Sequence, residues 1–179
     1  AKAAVGDDIQ LRLGIELGDA PWDFQWAERQ LQRAPRLDFV IGSCHNMDEK
    51  DGGRDFFMLS YDTLADCYHA LDNYFASMLK MAAGPHYDVV GHVIYPLRYM
   101  NGPYDTPSLD RYRDQIREIL RLAIQSGRGI EINTWKGQTL AQWIPLLKDY
   151  KELSGEIITV GSDAHAPEPL GRGIKEAYS

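Results

Sequence analysis

The sequence predicts an α/β fold whose parallel strands form part of a (β/α) barrel. Short apolar runs alternate with helix-like segments along all 179 residues, and strands that alternate with helices are usually parallel. The first run leads into GIELG, which lacks the glycine-rich phosphate loop that an open doubly wound sheet carries after its first strand. Ionisable side chains also fall at the carboxyl ends of the runs, as they do at the mouth of a barrel.

Five apolar runs predict the strands. They cover residues 9–15, 37–41, 87–90, 129–132 and 157–160. Each run is short and is bounded by glycine, proline or polar residues, which is typical of buried strands.

Four longer segments between these runs predict the helices. They cover residues 22–33, 60–81, 108–127 and 143–153. Ser60 is the predicted N-cap of the second helix, and Gly127 ends the third. Pro145 is expected in the first turn of the fourth helix, since proline is tolerated there and disrupts a helix interior.

Composition indicates one cytoplasmic domain over residues 1–179. The net charge of -7 disfavours a nucleic-acid partner, because neutralising phosphates requires clustered Lys and Arg. Cys44 and Cys67 show no pairing motif and are expected as free thiols in a reducing compartment. No apolar run reaches the roughly 20 residues of a membrane span, and the first residues do not look like a signal peptide.

Metal-ligand side chains follow or end four of the five runs. They are Glu16, His45, His92 and, after the last run, Asp163 and His165. Residues two apart on an extended chain point the same way, so Asp163 and His165 can face one point. Carboxylates and imidazoles without a thiolate cluster suit zinc, manganese or iron in a hydrolytic site. The sequence therefore predicts a metal centre at the barrel mouth.

Other polar residues have competing interpretations. Cys44 precedes His45, but neighbours on a strand face opposite sides, so it is expected in the core and not as a nucleophile. His69 is expected to be structural within its helix, and His86 to lie at the opposite end of the strands. Glu131 is either a buried structural carboxylate or a functional one, and Asn133 is a candidate substrate contact.

Arginines and one long loop are candidates for substrate binding. Arg98, Arg54 and Arg172 follow three of the strand ends, and the arginine fork suits phosphate oxygens. The loop 46–59 is long for a barrel connection and is expected to cover the substrate.

The motifs GIELG, GSCHN, DVVGH with the following LRY, EINT and GSDAHAPEPLG occur in this order. Together they resemble the polymerase and histidinol phosphatase (PHP) domain family, in its histidinol-phosphatase branch. The resemblance implies a distorted, TIM-like (β/α)7 barrel with two or three divalent ions. It implies that Glu16 bridges two ions, that His45, His92, Asp163 and His165 complete the ligand set, and that Glu16, Asp163 and Arg98 serve catalysis. Arg98 is the preferred phosphate ligand because LRY matches the family pattern.

The same resemblance implies a metal-dependent phosphomonoesterase that converts L-histidinol phosphate and water to L-histidinol and phosphate. The alternatives are another phosphoester, such as a nucleotide, a nucleic-acid end or phosphotyrosine, and an inactive metal-binding fragment. The family's His-x-His motif, which precedes the GIE strand, does not occur in this sequence, and neither does its last barrel strand, expected beyond the GSDAH loop and the following helix. We therefore expect a fragment of a longer protein, whose open sheet edges are covered by further segments or by a second copy.

Overall fold

The computed structural model describes residues 9–103, 106–137 and 140–179. Five strands form one sheet: β1 (Gly14–Gly18), β2 (Phe39–Ser43), β3 (Val89–Val90), β4 (Gly129–Asn133) and β5 (Ile158–Gly161). The helices are α1 (Phe24–Arg33), α2 (Leu64–Ala83), α3 (Arg113–Gln125), α4 (Leu140–Glu152) and α5 (Ile174–Ala177). Within these residues, no helix combines the length and apolar character needed to cross a bilayer.

The strand order distinguishes the two predicted architectures. The sheet runs β1-β2-β3-β4-β5, and every neighbouring pair is parallel. A doubly wound sheet would reverse its order at a switch point, whereas a barrel wall adds each strand beside the one before it. The predicted α/β fold is confirmed, and the described strands follow the barrel order.

The first strand lies later than predicted. It begins at Gly14 and not at Ile9, so Glu16 lies inside it. Upstream, the Leu13 amide donates to the Asp38 side chain, and Leu13 itself is 46% exposed. The Leu13 carbonyl accepts from the Asp38 amide, but the Leu13 amide bonds to a side chain, so regular strand pairing begins only at Gly14.

The second helix begins at Leu64, so the prediction of Ser60 as its N-cap is wrong. Thr63 is the cap: its hydroxyl accepts from the Asp66 amide, and the Asp66 carboxylate accepts from the Thr63 amide. Reciprocal bonds of this kind form a capping box. The prediction for Pro145 is also wrong, because α4 begins at Leu140 and Pro145 lies inside it.

The capping box leads to a stability prediction. We expect Thr63→Ala to lower the free energy of unfolding by about 1 kcal/mol, because an orphan amide of the first turn loses its acceptor. Ser60→Ala is the matched control and should change nothing measurable. Urea unfolding followed by circular dichroism checks both, and equal effects of the two changes would contradict the assignment.

The apolar core lies between the sheet and helices α2 and α3. Tyr74, Phe75 and Met78 of α2 and Leu120 of α3 are fully buried. The Tyr74 hydroxyl donates to the backbone carbonyl of His92 at 2.8 Å. This hydrogen bond joins helix α2 to His92, which lies two residues after β3.

Ion pairs connect helices α3 and α4. Asp149 of α4 accepts hydrogen bonds from Arg113 at 2.9 Å and from Arg117. The Arg113 hydrogen bond is the largest cause that lowers the pKa of Asp149; burial opposes it, and Arg117 adds to it. The folded state therefore binds protons at Asp149 less readily than the unfolded chain.

This lowered pKa predicts a pH-dependent contribution. Stability from Asp149 is present above the unfolded value of about 3.9 and is lost as pH falls through the folded value. We expect Asp149→Asn to cost about 2 kcal/mol at pH 7 and less at pH 3. Urea unfolding at both pH values measures the difference, and an unchanged cost at pH 3 would refute the linkage.

Candidate metal centre

Three predicted ligands converge at the carboxyl edge of the sheet. Glu16 lies on β1, His45 follows β2 and His92 follows β3. Glu16 Oε1 is 2.8 Å from His92 Nε2 and 3.1 Å from His45 Nε2, and the two Nε2 atoms are 3.1 Å apart. The three side chains, called here the triad, could hold one metal ion. Parallel pairing of three consecutive strands brings them together.

Asp19 positions His45. Its carboxylate accepts from the backbone amides of His45 at 2.9 Å and Asn46 at 3.1 Å. The Asp19 amide in turn donates to the Ser43 carbonyl, which anchors the end of β1 to the end of β2. Asp19 was not among the predicted site residues, although it stands directly after GIELG, where an acidic side chain can accept hydrogen bonds from the next loop.

Backbone strain is concentrated at the same edge. Asp19, His92, Trp135 and Asp163 have φ values of 53°, 22°, 40° and 55°. Each stands one or two residues beyond a strand. Non-glycine residues in this region are strained, and such strain is found preferentially at functional sites.

Hydrogen bonds within the triad shift the pKa values of Glu16 and His45. Burial alone would raise the pKa of Glu16, but hydrogen bonds to His45 and His92 outweigh it, and the pKa lies well below its usual range. Burial would lower the pKa of His45, yet the hydrogen bond to Glu16 and its charge raise it. The carboxylate is therefore ionised and bound from two sides.

The donor atoms fit a divalent ion. Ligands that share a zinc ion at roughly 2.0–2.1 Å lie at separations close to those of the triad atoms. Once both imidazoles are deprotonated at Nε2, as metal binding requires, the two nitrogens and the carboxylate oxygen would present three lone pairs to one point. One oxygen and two nitrogen donors suit zinc, manganese or iron.

Arg98 forms a second cluster with side chains from three loops. Its NH1 donates to Asp163 Oδ2 at 2.8 Å, and its side chain is only 3% exposed. The guanidinium carbon lies 4.4 Å from the Trp135 ring centroid and 5.0 Å from that of Tyr95. Tyr95 also contacts His45, so it connects this cluster to the triad. Sequence reasoning did not identify Tyr95 or Trp135.

The loop 46–59 reaches the site through Asp55. The Tyr95 hydroxyl donates to Asp55 Oδ1 at 3.1 Å and accepts from the Tyr99 hydroxyl at 3.2 Å. Phe57 of this loop packs edge-on against Tyr99 and is 59% exposed. The loop therefore contacts Tyr95, which itself packs against His45 of the triad.

The remaining predicted ligands lie outside the triad. Asp163 points to Arg98, and the exposed His165 ring lies 3.0 Å from the Asp163 carbonyl. Among the described residues, the group of donors within 4.8 Å of one another contains neither of them. Their assignment as metal ligands stays a prediction.

Glu131 and Asn133 form a buried network behind the triad. Glu131 accepts from the His92 amide at 3.2 Å and from the Asn133 side chain at 3.3 Å. The Asn133 side-chain oxygen accepts from the Trp135 amide. Burial is the largest influence on Glu131 and raises its pKa. In this structure Asn133 binds protein groups, and its role as a substrate contact stays a prediction.

Two arginines predicted to bind substrate are exposed. Arg54 lies in the loop 46–59, where its carbonyl accepts from the Met47 amide. Arg172 lies after Asp163, and its carbonyl accepts from the Thr134 hydroxyl at 2.7 Å. The structure does not test whether either side chain reaches a substrate.

Cys44, His69 and His86 are not members of the triad. Cys44 is 1% exposed, and burial raises its thiol pKa well above the usual range, which disfavours a nucleophile. His69 is exposed on α2 and is not part of the triad, and its structural role stays a prediction. His86 precedes β3 at the opposite edge, 3.9 Å from Glu28, as predicted.

Curated proteins with similar sequences are named histidinol-phosphatases. A probable histidinol-phosphatase of Clostridium acetobutylicum is 27% identical over 92% of this chain and 64% of its own length. A histidinol-phosphatase of Lactococcus lactis is 28% identical over 92% of this chain and 61% of its own length. The chain thus spans less than two thirds of these curated relatives.

A solved structure shows the same fold. It is the crystal structure of histidinol phosphate phosphatase from Lactococcus lactis complexed with zinc, L-histidinol and phosphate. It matches with a TM-score of 0.73 and 25% identity, over 98% of this chain and 68% of that one. The PHP domain model matches residues 1–135, which is more than half of the sequence. The chain therefore belongs to the PHP domain family.

Proposed function

We propose that this chain is part of a metal-dependent phosphomonoesterase that hydrolyses L-histidinol phosphate to L-histidinol and phosphate. The observation that carries the proposal is the triad, in which Glu16, His45 and His92 present one oxygen and two nitrogens to a single point. Bound divalent ions would activate water and neutralise phosphoryl oxygens.

The residues of the chain have separate roles in this proposal. Glu16, His45 and His92 hold a metal ion, with zinc as the first choice, and Asp163 and His165 contribute to a centre of two or three ions. Arg98 binds phosphate oxygens through N–H groups not used by Asp163, since guanidinium is always charged and presents five donors. Arg54 and Arg172 supply further positive charge near the mouth.

Three observations support this substrate class. The curated relatives are named histidinol-phosphatases, and the matching crystal structure contains zinc, L-histidinol and phosphate. The net charge of -7 favours a small phosphoester over nucleic acid. Cys44 and Cys67 are free thiols, which supports a reducing, cytoplasmic location as part of the proposal.

The direct test is phosphate release from L-histidinol phosphate by the full-length protein. We expect turnover that a chelator abolishes and zinc restores. A panel containing a nucleotide, a 5′-phosphorylated oligonucleotide and a phosphotyrosine peptide separates this substrate from the other phosphoesters. Turnover that survives chelation would refute the mechanism.

Metal analysis separates an enzyme from an inactive fragment. Purified, reconstituted protein should hold at least about one transition metal per chain. A lower content, with no gain on reconstitution and no turnover of any phosphoester, would support the non-catalytic alternative.

A further inference from the structure

We infer that Trp135 is a positioning residue for Arg98, whose stacking holds the guanidinium ready for a phosphoryl group. This inference rests on the proposed function, because it deepens the role given there to Arg98. Trp135 is not a ligand, and it acts through the arginine. Three features of the described residues support the inference. They are the stacking of Arg98 on Trp135, the hydrogen-bonded turn that carries Trp135, and the contact between the loops that follow β4 and β5.

The stack restricts a side chain that is otherwise long and flexible. Arg98 lies 4.4 Å from the Trp135 ring centroid, closer than the 5.0 Å to Tyr95. A cation over an indole ring is attracted most strongly when it is desolvated, and the Arg98 side chain is 3% exposed. With its plane fixed by the rings, guanidinium can form hydrogen bonds only at its edge. Asp163 takes one position on that edge at 2.8 Å.

The turn that carries Trp135 is itself held in place. Trp135 has a φ of 40°, a strained value for an indole side chain. Its amide donates to the side chain of Asn133 at 3.0 Å, and the Gly137 amide donates to the Thr134 carbonyl at 2.7 Å. Asn133 is 3% exposed and also binds Glu131. Because hydrogen bonds hold this strained turn in one conformation, the turn fixes the position of the Trp135 indole ring.

The two partners of Arg98 come from loops that are bonded to each other. Trp135 follows β4 and Asp163 follows β5. Thr134 donates to the Arg172 carbonyl at 2.7 Å. A Cβ added to Gly173 would lie 2.8 Å from the Thr134 Cβ and 2.8 Å from the Gly137 Cα, so the two loops are in tight contact. Their contact fixes the positions of the indole ring and the carboxylate relative to each other.

The experiment measures inorganic phosphate binding to the zinc-reconstituted full-length protein by isothermal titration calorimetry. We expect Trp135→Leu to weaken phosphate binding about ten-fold, while zinc content stays unchanged. Trp135→Phe, which keeps an aromatic face, should stay within about three-fold of the wild type. Trp26→Leu is the matched control, since Trp26 is 51% exposed on α1, and it should have no effect.

A double-mutant cycle shows whether Trp135 acts through Arg98. Arg98→Ala should weaken phosphate binding, and Trp135→Leu should cause no further loss in that background. An equal loss in both backgrounds, or unchanged affinity in Trp135→Leu, would overturn the inference and leave the proposed function intact. If Arg98→Ala keeps full affinity, the assignment of Arg98 fails, and the role of Trp135 fails with it. Zinc-dependent turnover, measured in parallel, tests the proposed function separately.

Discussion

Glu16→Gln is expected to lower kcat/KM for L-histidinol phosphate by about 1,000-fold, which corresponds to roughly 4 kcal/mol of barrier. Glu16 Oε1 is the atom that both imidazoles share, at 2.8 Å and 3.1 Å. Glutamine keeps the shape but removes the charge and replaces one oxygen with an amide nitrogen. Phosphate release and elemental analysis of the purified variant measure the effect, and we expect about one zinc equivalent to be lost.

The matched control is Glu156→Gln, an exposed carboxylate just before β5. It should keep both zinc content and turnover. Circular dichroism of the two variants shows whether the fold is retained. A Glu16→Gln protein with full zinc content and normal turnover would remove the basis of the metal assignment.

Gly161→Ala is expected to affect both stability and the metal site. A Cβ at Gly161 would lie 2.3 Å from Glu131 Oε1, and Glu131 is held in place by the His92 amide and by Asn133. We expect the free energy of unfolding to fall by about 2–3 kcal/mol. Displacement of Glu131 should also weaken zinc binding about ten-fold, as loss of an outer partner of a ligand does. Urea unfolding and competition with a zinc chelator measure the two effects.

The cause of this effect can be tested by adding Glu131→Ala. The second change removes the obstructing atom, so the double variant should lose less stability than the sum of the single losses. Gly129→Ala is the contrasting case, because its Cβ would lie 2.2 Å from the backbone oxygen of Ile157. Ile157→Ala should not relieve it. Additive losses for the Gly161 and Glu131 changes would contradict the proposed contact.

The sequence predicted that these three residues lie at one edge of the sheet because strand order alone brings the carboxyl ends of β1, β2 and β3 together. The exact positions of His45 and His92 also depend on the loops that carry them. The same reasoning also placed Asp163 and His165 in the ligand set, which stays a prediction, since loop conformation, and not strand order, decides where their side chains point. The Arg98 contact with Asp163 depends on two loops and could not be read from spacing.

Element boundaries were harder to predict for local reasons. Residues 9–13 alternate like a strand, but the Asp38 side chain occupies the Leu13 amide. Ser60 and Thr63 are both plausible caps, and Asp66 selects Thr63 because only that spacing gives reciprocal bonds. The position of Pro145 within its helix could be predicted only if the first residue of α4 were known. Trp135 directly follows EINT but belongs to no recognisable motif. Its role could not be predicted, because its stacking on Arg98 joins residues far apart in the chain.

The sequential strand order has a consequence for how the protein is made on the ribosome. Translation delivers β1, β2 and β3 before β4 and β5, so Glu16, His45 and His92 are all in the chain before α3 is synthesised. At about 5–20 residues per second, Trp135 and Asp163 follow seconds later. The proposed metal ligands of the triad are therefore complete in the growing chain before the loops that carry Trp135 and Asp163 have been made.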